Sequence, residues 1–158
     1  MSKLFAIVLV VLSVIFIASC SSDSGTNNSG EMILGTLEAK LDGKTWKSQQ
    51  ALASKIGGAM YQITGAAITG ATETITLTIP KVEAGTHTGG IGNVNVIDIS
   101  NPMAGQKAYS NTNVTYTISN VTDEEISGSF SFVATNTAQG QSDTRKVESG
   151  RFRVKFVN

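Results

Sequence analysis

The stretch Thr74-Ile75-Thr76-Leu77-Thr78-Ile79 decides the fold class, because threonine and aliphatic residues alternate along it with a period of two. Successive side chains of a β-strand point to opposite faces, so the aliphatic side chains share one face and the threonines share the other. Threonine and isoleucine are also residues that strands favour. Pro80 follows directly and ends the strand, since proline has no N–H to donate to a neighbouring strand.

The same period continues on both sides of this stretch. Residues 60–67 predict a partner strand that turns back around Gly70-Ala71, and residues 94–99 predict another short strand. Three later segments alternate apolar with polar residues, and their apolar members are Val114, Tyr116 and Ile118; Ile126, Phe130, Phe132 and Ala134; and Phe152, Val154 and Phe156. No segment after residue 30 keeps a helical period. Residues 32–158 therefore predict one all-β domain, an antiparallel β-sandwich or small flattened barrel with meander-like strand order.

The domain is expected to open with a hairpin. Ile33, Leu37, Ala39 and Leu41 alternate with Leu34, Thr36, Glu38 and Lys40, and Asp42-Gly43 follows them. This dipeptide suits a two-residue turn in which both central residues have a positive φ. Residues 44–46 then start the return strand, and Trp46, Tyr61 and Tyr116 are expected in the core.

The first residues have the composition of an export signal. Lys3 precedes an apolar run of about 15 residues, which is shorter than the roughly 20 needed for a transmembrane helix. The run ends in Ile17-Ala18-Ser19-Cys20, which is similar to the lipobox of bacterial lipoproteins. The resemblance implies that a signal peptidase recognises Ile17, Ala18 and Ser19 and removes residues 1–19. Cys20 then carries the lipid and becomes the membrane contact.

Residues 20–31 are expected to form the lipidated cysteine and a flexible tether, because they are almost entirely small or polar. By resemblance to lipoprotein sorting signals, Ser21 in place of aspartate favours the outer membrane. Whether the domain faces the periplasm or the cell exterior stays open.

Composition excludes several classes of function. Lys plus Arg and Asp plus Glu number 12 each, so the chain lacks the positive charge of a nucleic-acid-binding protein. Cys20 is the only cysteine and His87, in an expected turn, the only histidine. No Gly-x-Ser-x-Gly motif or zinc-ligand spacing occurs, and the acidic run at residues 123–125 is interpreted as a solvated turn. We therefore predict no catalytic residue, no metal ligand and no cofactor.

Two surface features are candidate binding sites. Arg151, Arg153 and Lys155 share one face of the last strand and form a candidate face for anionic headgroups or acidic glycans. The alternative is a charged solvent face that protects a sheet edge from aggregation. Tyr109 lies in a polar stretch and is expected to be exposed, where its ring would stack on a sugar.

Several pieces of the chain together resemble a family of small β-rich lipoproteins, mostly from Bacteroidota, that carry a domain of unknown function. The matching pieces are the lipobox and tether, Asp42-Gly43-Lys44-Thr45-Trp46, residues 74–79 with Gly85-Thr86, and the closing segments at residues 126–132 and 148–152. The resemblance implies a lipid-anchored β-rich domain and brings no activity with it.

These observations favour a non-enzymatic, lipid-anchored protein of the cell envelope that binds a glycan or an envelope protein. One alternative is an accessory or structural subunit of an outer-membrane assembly, with its sheet edges as contact surfaces. A less favoured alternative is a polysaccharide hydrolase with two carboxylates drawn from Glu73, Glu83, Asp98 and Glu148.

Overall fold

A computed structural model describes residues 31–57, 59–68, 71–98 and 106–157. Within these ranges the chain forms strands and no helix. The strands are β1 (Thr36–Leu41), β2 (Lys44–Lys47), β3 (Gln50–Ile56), β4 (Met60–Ile68), β5 (Ala71–Ile79), β6 (Gly85–Thr88), β7 (Ile91–Asp98), β8 (Lys107–Asn111), β9 (Thr115–Val121), β10 (Glu125–Asn136) and β11 (Thr144–Val157). The predicted signal sequence and lipidation site, Ile17 to Cys20, lie outside the described residues.

All eleven strands belong to one mixed sheet in the order β2-β1-β11-β3-β4-β5-β7-β8-β10-β9-β6. β10 also pairs with β11, so the pairings from β11 through β3 to β10 close into a ring. This confirms the predicted all-β fold with meander-like order, and the closed ring corresponds to the flattened-barrel alternative. One departure from the meander is that β11, the last strand, lies between β1 and β3 and pairs with β3 in parallel.

Among the described residues, the buried apolar side chains form one cluster in the interior of this closed sheet. Ile75, Leu77 and Ile79 are completely buried, as their alternation with threonine predicts. Trp46 and Tyr116 are also buried, whereas Tyr61 lies at the margin of the core and is half-buried. The period-two pattern therefore identified the inward face of each of these strands.

Glycine and phenylalanine alternate between the two long strands β10 and β11. Gly128 is paired with Phe152, and Phe130 is paired with Gly150. Each phenylalanine ring covers the glycine opposite, because a Cβ built at Gly150 would meet the Phe130 ring and one built at Gly128 would meet Phe152. Aromatic side chains that cover cross-strand glycines in this way help to hold the register of a strand pair.

The predicted Asp42-Gly43 hairpin is present between β1 and β2, with φ of 52° at Asp42 and 79° at Gly43. The Asp42 carboxylate accepts a hydrogen bond from the backbone N–H of Lys146 at 2.8 Å and pairs with the Arg145 guanidinium at 2.6 Å. Partial burial alone would raise the pKa of Asp42, but these two donors outweigh it and hold the pKa below its usual value. The turn is thereby attached to β11.

Candidate functional site

One end of the closed sheet contains an open cavity of about 320 Å³. It lies where the β3–β4 turn, the β5–β6 connection, the β9–β10 connection and the end of β11 come together. Its lining consists of four aliphatic or aromatic side chains, a tyrosine and three polar residues: Val82, Val121, Phe156, Val157, Tyr61, Lys55, Thr122 and Asp123. We call this the end cavity.

Aromatic rings form one wall of the end cavity. Tyr61 and Phe156 lie with their ring centroids 5.9 Å apart at an angle of 56°. Lys55 is the cross-strand neighbour of Tyr61, and its ammonium nitrogen lies 5.8 Å from the centre of the Tyr61 ring. Such a wall presents both an apolar surface and a cation to a molecule that enters.

The end cavity also carries two opposite charges that do not neutralise each other. Neither Lys55 nor Asp123 takes part in an ion pair in the described part of the chain. Pockets that bind small molecules generally combine apolar walls with a few polar groups that orient the ligand. The cavity therefore has the chemistry of a site for a small amphipathic molecule.

The candidate anionic face on β11 is surrounded by carboxylates. Arg151 pairs with Glu38 on the neighbouring β1 at 3.3 Å, and Arg153 pairs with Glu125 on β10 at 3.3 Å. Arg153 also pairs with Glu31. Lys155 is exposed and forms no ion pair within the described residues.

An anion that binds this face would have to compete with those carboxylates. Anion binding at this face therefore stays a prediction, and the ion pairs weaken the electrostatic argument for it. These ion-pair partners could not be predicted from the sequence, because the sequence did not establish which residues lie opposite each other on β1, β10 and β11.

The prediction that Tyr109 is exposed is wrong. Tyr109 lies on β8 and only 2% of it is accessible. Its hydroxyl donates a hydrogen bond to the Asp143 carboxylate at 2.7 Å, and the Arg145 guanidinium lies 5.5 Å from the ring centre. Burial and the Asp143 carboxylate raise the pKa of Tyr109, and the Tyr109 hydroxyl lowers the pKa of Asp143. The polar stretch around Tyr109 is strand β8 and not a loop, and the Tyr109 side chain points inward. Tyr109 therefore cannot stack on a sugar.

His87 is likewise not in a turn but on the short strand β6, which pairs with β9. Its Nε2 atom lies 2.8 Å from the backbone carbonyl oxygen of Glu83, and its ring centre lies 5.3 Å from that of Tyr116. These contacts place the imidazole beside the buried ring of Tyr116, its cross-strand partner, on the edge strand β6. Neither is a contact with a serine, threonine or cysteine side chain.

The candidate hydrolytic carboxylates occupy several places. Glu83 pairs with Lys81 at 2.9 Å and Glu148 pairs with Lys146 at 2.8 Å. The hydrogen bond and charge of Lys81 lower the pKa of Glu83. Glu73 and Asp98 lie on the neighbouring strands β5 and β7. None of the four lines the end cavity.

The described residues form neither a cluster of metal ligands nor a membrane-spanning helix. In residues 31–57, 59–68, 71–98 and 106–157, no group of three or more His, Cys, Asp or Glu residues is placed to hold a metal ion. Across the same residues no helix has the length and apolar character needed to cross a membrane.

Comparison with known proteins leads to a family. Neither the curated proteins nor the solved structures include a significant match to this chain. A family model described as a domain of unknown function, DUF6252, matches residues 35–154. The match extends from the turn before β1 to near the end of β11 and so covers nearly the whole closed sheet. The chain belongs to the family of domains of unknown function DUF6252.

Proposed function

We propose that this chain is a lipid-anchored protein of the cell envelope that binds a small amphipathic ligand in the end cavity without converting it chemically. The observation that carries the proposal is the lining of that cavity, with the Tyr61–Phe156 wall beside the unpaired charges of Lys55 and Asp123. No serine, cysteine or histidine is among its described lining residues, and the Thr122 hydroxyl accepts hydrogen bonds from the backbone N–H groups of Glu124 and Glu125, which favours binding over catalysis.

Support for the anchor comes from the residues that precede the domain. The apolar run and Ile17-Ala18-Ser19-Cys20 match the requirements of lipoprotein maturation. A single acyl chain gives only marginal membrane binding, whereas two or three chains on one cysteine give a lasting attachment. We place the protein at the outer membrane, with its periplasmic or external orientation open.

A second candidate function is that of a structural subunit that uses its sheet edges. The outer strands of the sheet are β2 and β6, with four residues each. β2 also carries Lys44 and Lys47. Short, charged edge strands are features that discourage edge-to-edge pairing. The structure therefore gives this candidate less support than the cavity gives to ligand binding.

The anchor is tested by Cys20→Ser. We expect this variant to take up no labelled palmitate and to leave the membrane fraction, because the thiol that accepts the lipid is gone. The matched control is Ser22→Ala, which changes a nearby hydroxyl, leaves Cys20 in place and should stay labelled and membrane-bound. A Cys20→Ser protein that still fractionates with membranes would contradict the anchor.

The cavity is tested with 8-anilinonaphthalene-1-sulfonate, a fluorescent probe that joins an aromatic body to one negative charge. We expect it to bind the chain that begins at Ser21. Lys55→Gln should raise the Kd about 1.4- to fivefold, since an exposed charge pair contributes about 0.2–1 kcal/mol. The control is Lys40→Gln, an exposed lysine on β1 outside the cavity. Equal loss in both variants, or no loss in either, would contradict the assignment.

A further inference from the structure

Three exposed aliphatic side chains lie at the end of the sheet that holds the end cavity. Ile56, Val121 and Val157 are 42%, 37% and 47% exposed, respectively. Val121 and Val157 line the cavity, whereas Ile56 follows Lys55 at the end of β3 and its side chain points to the other face of that strand. Single exposed aliphatic residues are common, but several at one end of a sheet form a patch that commonly marks an interaction surface. We call these three residues the apolar rim.

The chain enters the domain close to this rim. Glu31 pairs with Arg153, and Arg153 pairs with Glu125. Glu125 begins β10, two residues after the cavity residue Asp123. Eleven chain steps lead from Cys20 to Glu31, and they span at most about 40 Å even when fully extended. A lipid on Cys20 would therefore keep the point where the chain enters the domain within that distance of the bilayer.

The charges around the rim have both signs. Lys55 and Lys155 are exposed, and neither forms an ion pair within the described ranges. Asp123 and Glu124 are exposed on the adjacent β9–β10 connection. Phosphoethanolamine headgroups also carry one charge of each sign, a phosphate and an ammonium. The rim thus matches a zwitterionic lipid surface better than a strongly anionic one.

We propose that the apolar rim lies on the membrane that holds the Cys20 lipid, with Ile56, Val121 and Val157 at the boundary between headgroups and acyl chains. This inference rests on the proposed lipid anchor. Each partly exposed side chain adds less than about tenfold to the affinity for a bilayer. The rim therefore acts only while the anchor keeps its local concentration high, and it orients the domain with the end cavity open to lipid.

The orientation is measured on the full lipidated protein in vesicles of phosphatidylethanolamine and phosphatidylcholine that carry bromine on their acyl chains. Cys20 is the only cysteine and its sulfur would carry the lipid, so Val121→Cys introduces the single thiol available for a fluorophore. The control is Ile68→Cys, which is 53% exposed in the native protein. It lies at the other end of β4 from Tyr61, about 23 Å away at 3.3 Å per residue.

We expect bromine to quench the fluorophore at position 121 at least about threefold more than at position 68, because side chains in the boundary lie within reach of the acyl chains. A fluorophore at Val157→Cys should be quenched as strongly as one at Val121→Cys, which would show that the result is not a local effect of one substitution. Equal quenching at all three positions in protein that floats with the vesicles would overturn the orientation and leave the anchor standing. Protein that does not float would overturn the anchor, and the orientation with it.

Discussion

Gly128→Ala is expected to destabilise the domain by at least about 3 kcal/mol, at the upper end of the cost of overfilling a packed core. A Cβ at this position would lie 2.1 Å from the carbonyl oxygen of Thr117 and 2.9 Å from Cζ of Phe152. The Thr117 oxygen belongs to the backbone of β9, which is paired with β10 on this side, so it cannot move without disturbing the sheet. The substitution therefore separates β9 from β10 or displaces the Phe152 ring.

The free energy of unfolding in urea measures this effect, with the fluorescence of the buried Trp46 as the signal. Ser129→Ala is the matched control, because it lies next to Gly128 on β10 and its side chain points to the other face. We expect the control to stay within about 0.5 kcal/mol of the native protein. If Gly128→Ala lowers the free energy of unfolding by less than about 1 kcal/mol, β9 shifts away from β10 at a lower cost than its pairing indicates.

Phe130→Ala is expected to cost about 3–5 kcal/mol, the usual loss when a buried phenylalanine is truncated to alanine. Phe130 is 4% exposed, and its ring centre lies 6.2 Å from those of both Phe132 and Phe152. The ring also covers Gly150 on β11, where a Cβ would lie 2.6 Å from its Cζ atom. Removing the ring therefore opens a cavity between the two longest strands of the sheet.

A double-mutant cycle isolates the contact between the ring and the glycine. Gly150→Ala alone should cost about 1–3 kcal/mol, because its Cβ collides with the Phe130 ring. In the Phe130→Ala background that collision is absent, so the second substitution should cost much less and the two effects should not add. Val133→Ala, at an exposed β10 position, is the control for truncation on this strand. Additive costs would contradict the proposed ring-over-glycine packing.

The local sequence pattern was sufficient to assign the inward-facing residues of a strand that has one face on the core. Ile75, Leu77 and Ile79 were assigned inward and are completely buried. The Asp42-Gly43 turn was predicted because its two residues tolerate a positive φ, and the structure has both. Tyr109 was misplaced because Lys107–Asn111 mixes polar and apolar residues too briefly for its alternation to stand out. His87 was placed in a turn for a similar reason, since β6 has only four residues, among them glycine.

The sequence by itself determined the strand periods, the all-β class and the family resemblance, because each depends on residues close together along the chain. It is also the whole basis for the proposed lipid anchor at Cys20. Only the tertiary structure decided that β11 lies between β1 and β3, that Glu38 and Glu125 neutralise Arg151 and Arg153, and that Lys55 and Asp123 line one cavity. These facts depend on strand pairings between distant residues, and the register of such pairings is set by packing of the whole core rather than by any one segment.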